Sequence, residues 1–124
     1  MHFFIVFLGG GIGAAARHGV NLLALRSVGV EFPYGTLSIN VAGSFLMGAL
    51  AAYFLRSGVS VEWRLFFTTG LLGGFTTFSA FSLEAALLYE RGQIASAALY
   101  VLASVALAIG GLFLGMAIAR LSIH

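Results

Sequence analysis

Gly70-Leu71-Leu72-Gly73-Gly74-Phe75-Thr76-Thr77-Phe78-Ser79-Ala80-Phe81-Ser82 is too apolar for a surface loop and too poor in helix formers for an ordinary helix. Glycine weakens a helix interior by about 1 kcal/mol relative to alanine, and threonine is stiff at χ1. Gly73-Gly74 followed by Thr76-Thr77 therefore predicts a break. A kinked but continuous helix is the alternative. The stretch lies inside a longer apolar run, residues 65–88. A helix of about 20 apolar residues crosses a bilayer. Backbone groups released by a break inside a membrane must be satisfied by protein, water or an ion, and unwound carbonyls at such breaks can hold a cation.

Working outward, three further segments reach membrane-spanning length: residues 3–25, 34–55 and 94–119. Arg26 to Pro33, Arg56 to Arg64 and Tyr89 to Gln93 connect them, and each connector carries charge or a breaker (Pro33, Gly58, Gly92). The chain of 124 residues is thus expected to be a single transmembrane domain, with no room for a soluble one. The N-terminal run reads as the first permanent span, because it lacks a basic leader and exceeds the usual signal-peptide core of about 7–15 residues.

Composition agrees. Hydrophobic residues make up 60% and charged residues 8%, too few to cover a soluble particle. Continuous apolar runs, rather than alternation, argue against a β-barrel. With no cysteine, thiolate catalysis, disulfides and Cys metal sites are excluded. Six Arg without a basic run give no nucleic-acid surface. Gly9, Gly11 and Ala14, with Glu31 beyond, outline a dinucleotide fingerprint, but no following strands supply the sheet it needs. Paired carboxylates, His clusters and Ser/His/Asp sets are lacking, and His2, His18 and His124 all fall near chain or span ends. No enzyme is expected.

Arginine hardly favours either side. Arg26 and Arg91 lie on the first and third connectors, and Arg56, Arg64 and Arg120 on the other side; Arg17 makes the balance even. Lys/Arg asymmetry sets orientation, so this balance predicts either weak bias or insertion both ways up, with an antiparallel homodimer following from the second. Gly9 and Gly13, Gly70 and Gly74, and Gly111 and Gly115 have the small-xxx-small spacing of closely packed membrane helices.

Several side chains can carry chemistry. Asn40 is a membrane-buried amide, either a helix–helix bond or an N–H donor for an anion. Phe75, Phe78 and Phe81 recur every third residue and are expected near one face, interleaved with Ser79 and Ser82; ring edges are positive and can meet an anion without a full charge. Arg17 and Glu84 are charges within spans, Arg17 either snorkelling to the interface or drawing anions inward. Tyr100 and Ser104, four apart, share a face.

These residues resemble the Fluc/CrcB fluoride-channel family. The resemblance is carried by the glycine-rich run Gly9 through Arg17, by Gly35-Thr36-Leu37-x-x-Asn40-x-x-Gly43-Ser44-Phe45, and by Gly73-Gly74-Phe75-Thr76-Thr77-Phe78-Ser79-x-Phe81. It implies an all-α integral membrane protein of four transmembrane helices with the third broken, assembled in the lipid bilayer as a dual-topology, antiparallel homodimer. It also implies passive fluoride export through two pores, in a cell inner membrane. By position, Phe78 and Phe81 would line the fluoride sites with Asn40 beside them. Ser79 would stand near a pore mouth, Tyr100 and Ser104 on a polar track, and the carbonyls of Gly73 and Thr76 would hold a structural Na⁺. Ala80 and Ala108 depart from the family's frequent hydroxyl residues. A small proton-coupled multidrug exporter is the alternative, with Glu84 its one candidate carboxylate; a non-conducting scaffold subunit is a third.

Overall fold

The computed structural model describes residues 1–122. The first helix is His2–Val28, the second Tyr34–Ser57, and the fourth Ile94–Ser122; the third span, Val61–Glu90, is interrupted. All four are long and apolar enough to cross a membrane, as expected of a multi-pass membrane protein. Each runs slightly past its expected bounds. A helix continues until something stops it, and here Gly29, Gly58 and Gly92 do so at φ 81°, 67° and 81°, where a Cβ would be strained.

The third span has four helical parts and one extended break. Val61–Arg64 is α-helical, Leu65–Leu72 is wound as a π-helix, and Gly73–Phe75 returns to α. Thr76 and Thr77 are extended (φ/ψ −82°/158° and −152°/122°), and a new helix runs from Phe78 to Glu90. The break thus falls on the threonines, and the glycine pair before them stays helical. Gly74 serves close approach instead. The first helix lies against residues 61–75 so tightly that a Cβ on Gly9 would stand 2.7 Å from Phe66 O, and one on Gly74 would strike the Gly10 carbonyl. Gly13 presses on Leu71 and Gly70 on Gly9 in the same seam. The second and fourth helices form the other seam, where Gly48 meets Leu112 and Gly115 meets Phe45; Gly111 has ordinary room, so that pair is only half used.

Few side chains are buried. Leu88, Ala97 and Tyr100 form a core between the end of the third span and the fourth helix, joined by Phe32, Leu37, Phe81 and Ala85. Phe7, Leu55, Leu102 and Phe113 point outward, among many other large apolar residues. In lipid such exposure carries no penalty, and close packing at small residues replaces a hydrophobic core. Trp63, Phe66 and Phe67 cluster at the start of the third span, where aromatic residues favour a membrane–water interface.

Candidate functional site at the broken span

An uninterrupted helix would bond Thr77 N–H to Gly73 O, Phe78 N–H to Gly74 O, and Ala80 N–H to Thr76 O. Each is replaced or released here. Asn40 takes the Thr77 peptide from both sides: Thr77 N–H donates to Asn40 Oδ1 at 2.8 Å, and Asn40 Nδ2 donates to Thr77 O at 2.9 Å. The side-chain amide stands where a neighbouring strand would stand in a sheet. Thr77 is the N-cap of the new helix, its Oγ1 accepting from Ala80 N–H at 3.1 Å. From the first helix, Arg17 Nε donates to Gly74 O at 3.2 Å. Thr76 keeps its place in the old helix, its N–H and hydroxyl both donating to Leu72 O at 3.0 Å. Helices one and two thus fasten the break by one side chain each.

The same substitutions release the carbonyls of Gly73 and Thr76 from their helical partners. Gly73 is exposed on the side of the molecule, at mid-span. Backbone oxygens of this kind are ligands that a hard cation takes.

Beside the break lies a cavity of about 300 Å³ lined by Asn40, Ser44, Thr76, Thr77, Phe78, Phe81, Ser104, Val105, Ala108 and Ile109. It brings together Asn40, Phe78, Phe81 and Ser104 from three spans. The two rings stand 5.5 Å apart and tilted by 52°. Ser104 is 6% exposed and its Oγ has no hydrogen-bond partner. A buried hydroxyl without a partner is costly, and its presence points to a ligand or water. No formally charged residue lines this cavity. Asn40 retains a second N–H beyond the one given to Thr77.

The other expected residues lie elsewhere. Phe75 does not share the face of Phe78 and Phe81, because the break intervenes; its ring lies against Gly43. Ser79 is exposed, 3.3 Å from Thr77 Oγ1. Arg17 does not line the cavity; its Nε donates to Gly74 O. Tyr100 is fully buried, its ring against Phe81 (5.2 Å) and Phe32 (5.5 Å), and its hydroxyl donates to Glu84 Oε1 at 3.2 Å. Glu84 faces a second cavity, about 340 Å³, with His18, Asn21, Glu31 and Arg91 among its walls. Phe81 and Tyr100 therefore stand as a partition between the two. His2 meets Glu62 at 3.7 Å, His18 is exposed, and His124 lies outside the described residues. Among the described residues, no three His, Cys, Asp or Glu come together.

Two residues quoted in the second-span motif were given no role in the sequence. Ser44 lines the first cavity, and Thr36 is 1% exposed. Both lie four residues from Asn40, so the polar stripe Thr36-Asn40-Ser44 was visible as helical spacing.

Comparison with known proteins gives a consistent picture. Residues 4–116 match the family model described as CrcB-like protein, Camphor Resistance. The chain is 60% identical to the fluoride-specific ion channel FluC of Rhodopseudomonas palustris (strain BisB5), over 97% of this chain and 98% of that one. It is 55% identical to fluoride-specific ion channel FluC 2 of Nitrobacter hamburgensis with the same coverage. To the FluC of Methylobacterium nodulans it is 59% identical over 94% of each chain.

Proposed function

The chain belongs to the CrcB family, and we propose that it is a passive fluoride-selective channel, not an enzyme, that releases cytoplasmic fluoride across a cell inner membrane. The observation that carries this reading is the uncharged cavity at the break, where an amide, a buried unpartnered hydroxyl and two aromatic rings converge. Fluoride is small and strongly hydrated, so a selective pore must replace water with close donors while letting the ion leave. A fixed Arg in the wall would hold it too well. The free N–H of Asn40, the Ser104 hydroxyl and the positive ring edges of Phe78 and Phe81 offer contacts without that charge.

Beyond the partition, Tyr100 and Glu84 lead toward the second cavity, which we assign to the pore's mouth on the side of Arg26 and Arg91. Arg17 lies outside the wall and contributes its field from Gly74. Ser79, exposed beside the break, lies where a partner or solvent meets the pathway.

The active form is proposed to be an antiparallel homodimer with two pores. Phe78 is 78% exposed, and Gly73 and Ser79 are exposed with it, in the middle of a span. Polar backbone facing lipid is costly. A second copy would cover it, and the even Arg balance allows that copy to be inverted. The released carbonyls of Gly73 and Thr76, from both copies, would hold a Na⁺. When bound, it would tie the two breaks together by charge; every other feature of the site comes from the chain's own side chains.

The exporter alternative requires a membrane-central carboxylate. Glu84 lies toward the end of the third span, held by Tyr100, and no observation favours it.

The test is anion efflux from liposomes carrying the purified protein, followed with fluoride- and chloride-selective electrodes at matched gradients. Rapid fluoride loss without chloride loss is expected. Retention of fluoride by liposomes containing folded, assembled protein refutes the reading.

A further inference from the structure

The break exposes two helix ends of opposite polarity. Residues 61–75 end in carbonyls, and Arg17 places its guanidinium on one of them, Gly74 O. The helix Phe78–Glu90 begins at the same point and is 13 residues long, enough to present a partial positive charge at its N-terminus. Its first-turn amides have no acceptor inside the helix. Thr77 Oγ1 takes only that of Ala80. The cavity of Asn40 is lined by Thr77 and Phe78, the cap and first residue of this helix, so it lies at the helix's positive end. Ser104, more than nine-tenths buried and without a partner, lines the same cavity from the fourth helix.

Resting on the channel reading, we propose that the backbone N–H of Phe78, together with the Ser104 hydroxyl, is an anion ligand: the break is there to aim a helix N-terminus at the permeating ion. The residue then has two separable contributions, a ring and an amide. This accounts for an anion site without a charged side chain. A helix end supplies positive potential in a medium of low dielectric, where partial charges act strongly, but it supplies no mobile cation that would trap the ion. It also accounts for the placement of Arg17. A guanidinium at the carbonyl end neutralises the negative pole that would otherwise oppose an anion across the break.

The experiment separates ring from amide. The full chain is made by cell-free translation with phenyllactic acid at position 78, which keeps the ring and replaces N–H by an ester oxygen. No helical hydrogen bond is lost, because the first-turn amide has none to lose. The matched control carries the ester at Ala95 (lactic acid), an exposed first-turn residue of the fourth helix that likewise has no helical acceptor and lies off the cavity. Protein of native assembly size is reconstituted, and fluoride efflux is measured against fluoride concentration. The Phe78 ester is expected to slow efflux about tenfold or more, or to raise the half-saturating concentration by that factor, the size of one hydrogen bond to a charged group. The Ala95 ester is expected to stay within about twofold of the unmodified chain, half a tenfold step or less on the same scale. As a second route that leaves the backbone untouched, Ser104→Ala is expected to raise the half-saturating concentration. An indifferent Phe78 ester, an equal loss with both esters, or an unchanged concentration dependence in Ser104→Ala overturns the proposal. Wild-type liposomes that pass no fluoride overturn the channel reading instead, so the two failures are told apart.

Discussion

Replacing Asn40 by alanine removes both hydrogen bonds that hold the Thr77 peptide, at 2.8 and 2.9 Å. Each contributes about 1 kcal/mol net, and an orphaned buried group costs about 1–3 kcal/mol. Polar contacts between membrane helices average nearer 0.6 kcal/mol, because the unfolded chain also finds partners. The loss in stability is therefore about 1–3 kcal/mol. A second effect follows from the backbone. Thr77 N–H is no longer held by the side chain, and its nearest helical acceptor is Gly73 O, which the break had released. The third span is expected to straighten there, withdrawing a carbonyl from the proposed cation site and moving Phe78 relative to Phe81. Three measurements check this: denaturation of the purified protein in detergent, hydrogen exchange at the Thr77 amide, and fluoride efflux. Lower stability, altered Thr77 exchange and efflux reduced by about a hundredfold, two tenfold steps, are expected together. Asn40→Asp keeps the acceptor for Thr77 N–H but turns a second carboxylate oxygen toward Thr77 O and charges the cavity, so it should also abolish efflux. An Asn40→Ala protein with unchanged stability and unchanged Thr77 exchange would refute the clamp.

Phe78→Ile and Phe81→Ile should both lower fluoride efflux at least tenfold, one step of about 1.4 kcal/mol on the barrier. Phe78 is largely exposed in one chain while Phe81 packs on Tyr100 at 5.2 Å, so only Phe81→Ile should also lower the unfolding temperature of the chain itself. Gly13→Ala forces a Cβ onto the Leu71 carbonyl and should destabilise by about 1–3 kcal/mol, the usual cost of overpacking; Gly11→Ala, with nothing within 4 Å, should be silent in the same thermal melt. Exchanging Na⁺ for a large organic cation should loosen the proposed dimer, read as a shift toward monomer at low protein concentration, and unchanged assembly would argue against carbonyl ligation at Gly73 and Thr76.

Some of the site was legible before any coordinates. Length and apolarity are local properties, so the four spans could be read from runs of residues, with errors of only a few positions at each end. The neighbourhood of the break was legible because Gly73-Gly74 and Thr76-Thr77 are poor helix residues wherever they stand. The break itself was placed less well, since Gly73-Gly74 could be tolerated in a helix once the first helix packed against Gly74. The π-helical turn over Leu65–Leu72 left no mark in the sequence that spacing could reveal. Phe75, Phe78 and Phe81 looked like one stripe because a three-residue period assumes a continuous helix, and two extended residues cancel that assumption.

The sequence by itself determined that this is a four-span membrane protein with a weak point in its third span, and it named most of the polar residues that gather there. Only the tertiary structure decided what those residues do to one another. Asn40 and Thr77 are 37 residues apart, and Arg17 and Gly74 are 57 apart. Their pairing depends on how closely two helices approach and how each is rotated about its axis. The glycine seams set that approach, through contacts between backbones that no single segment contains. The chain specifies which groups must be satisfied inside a membrane; the packing of its helices selects the partners that satisfy them.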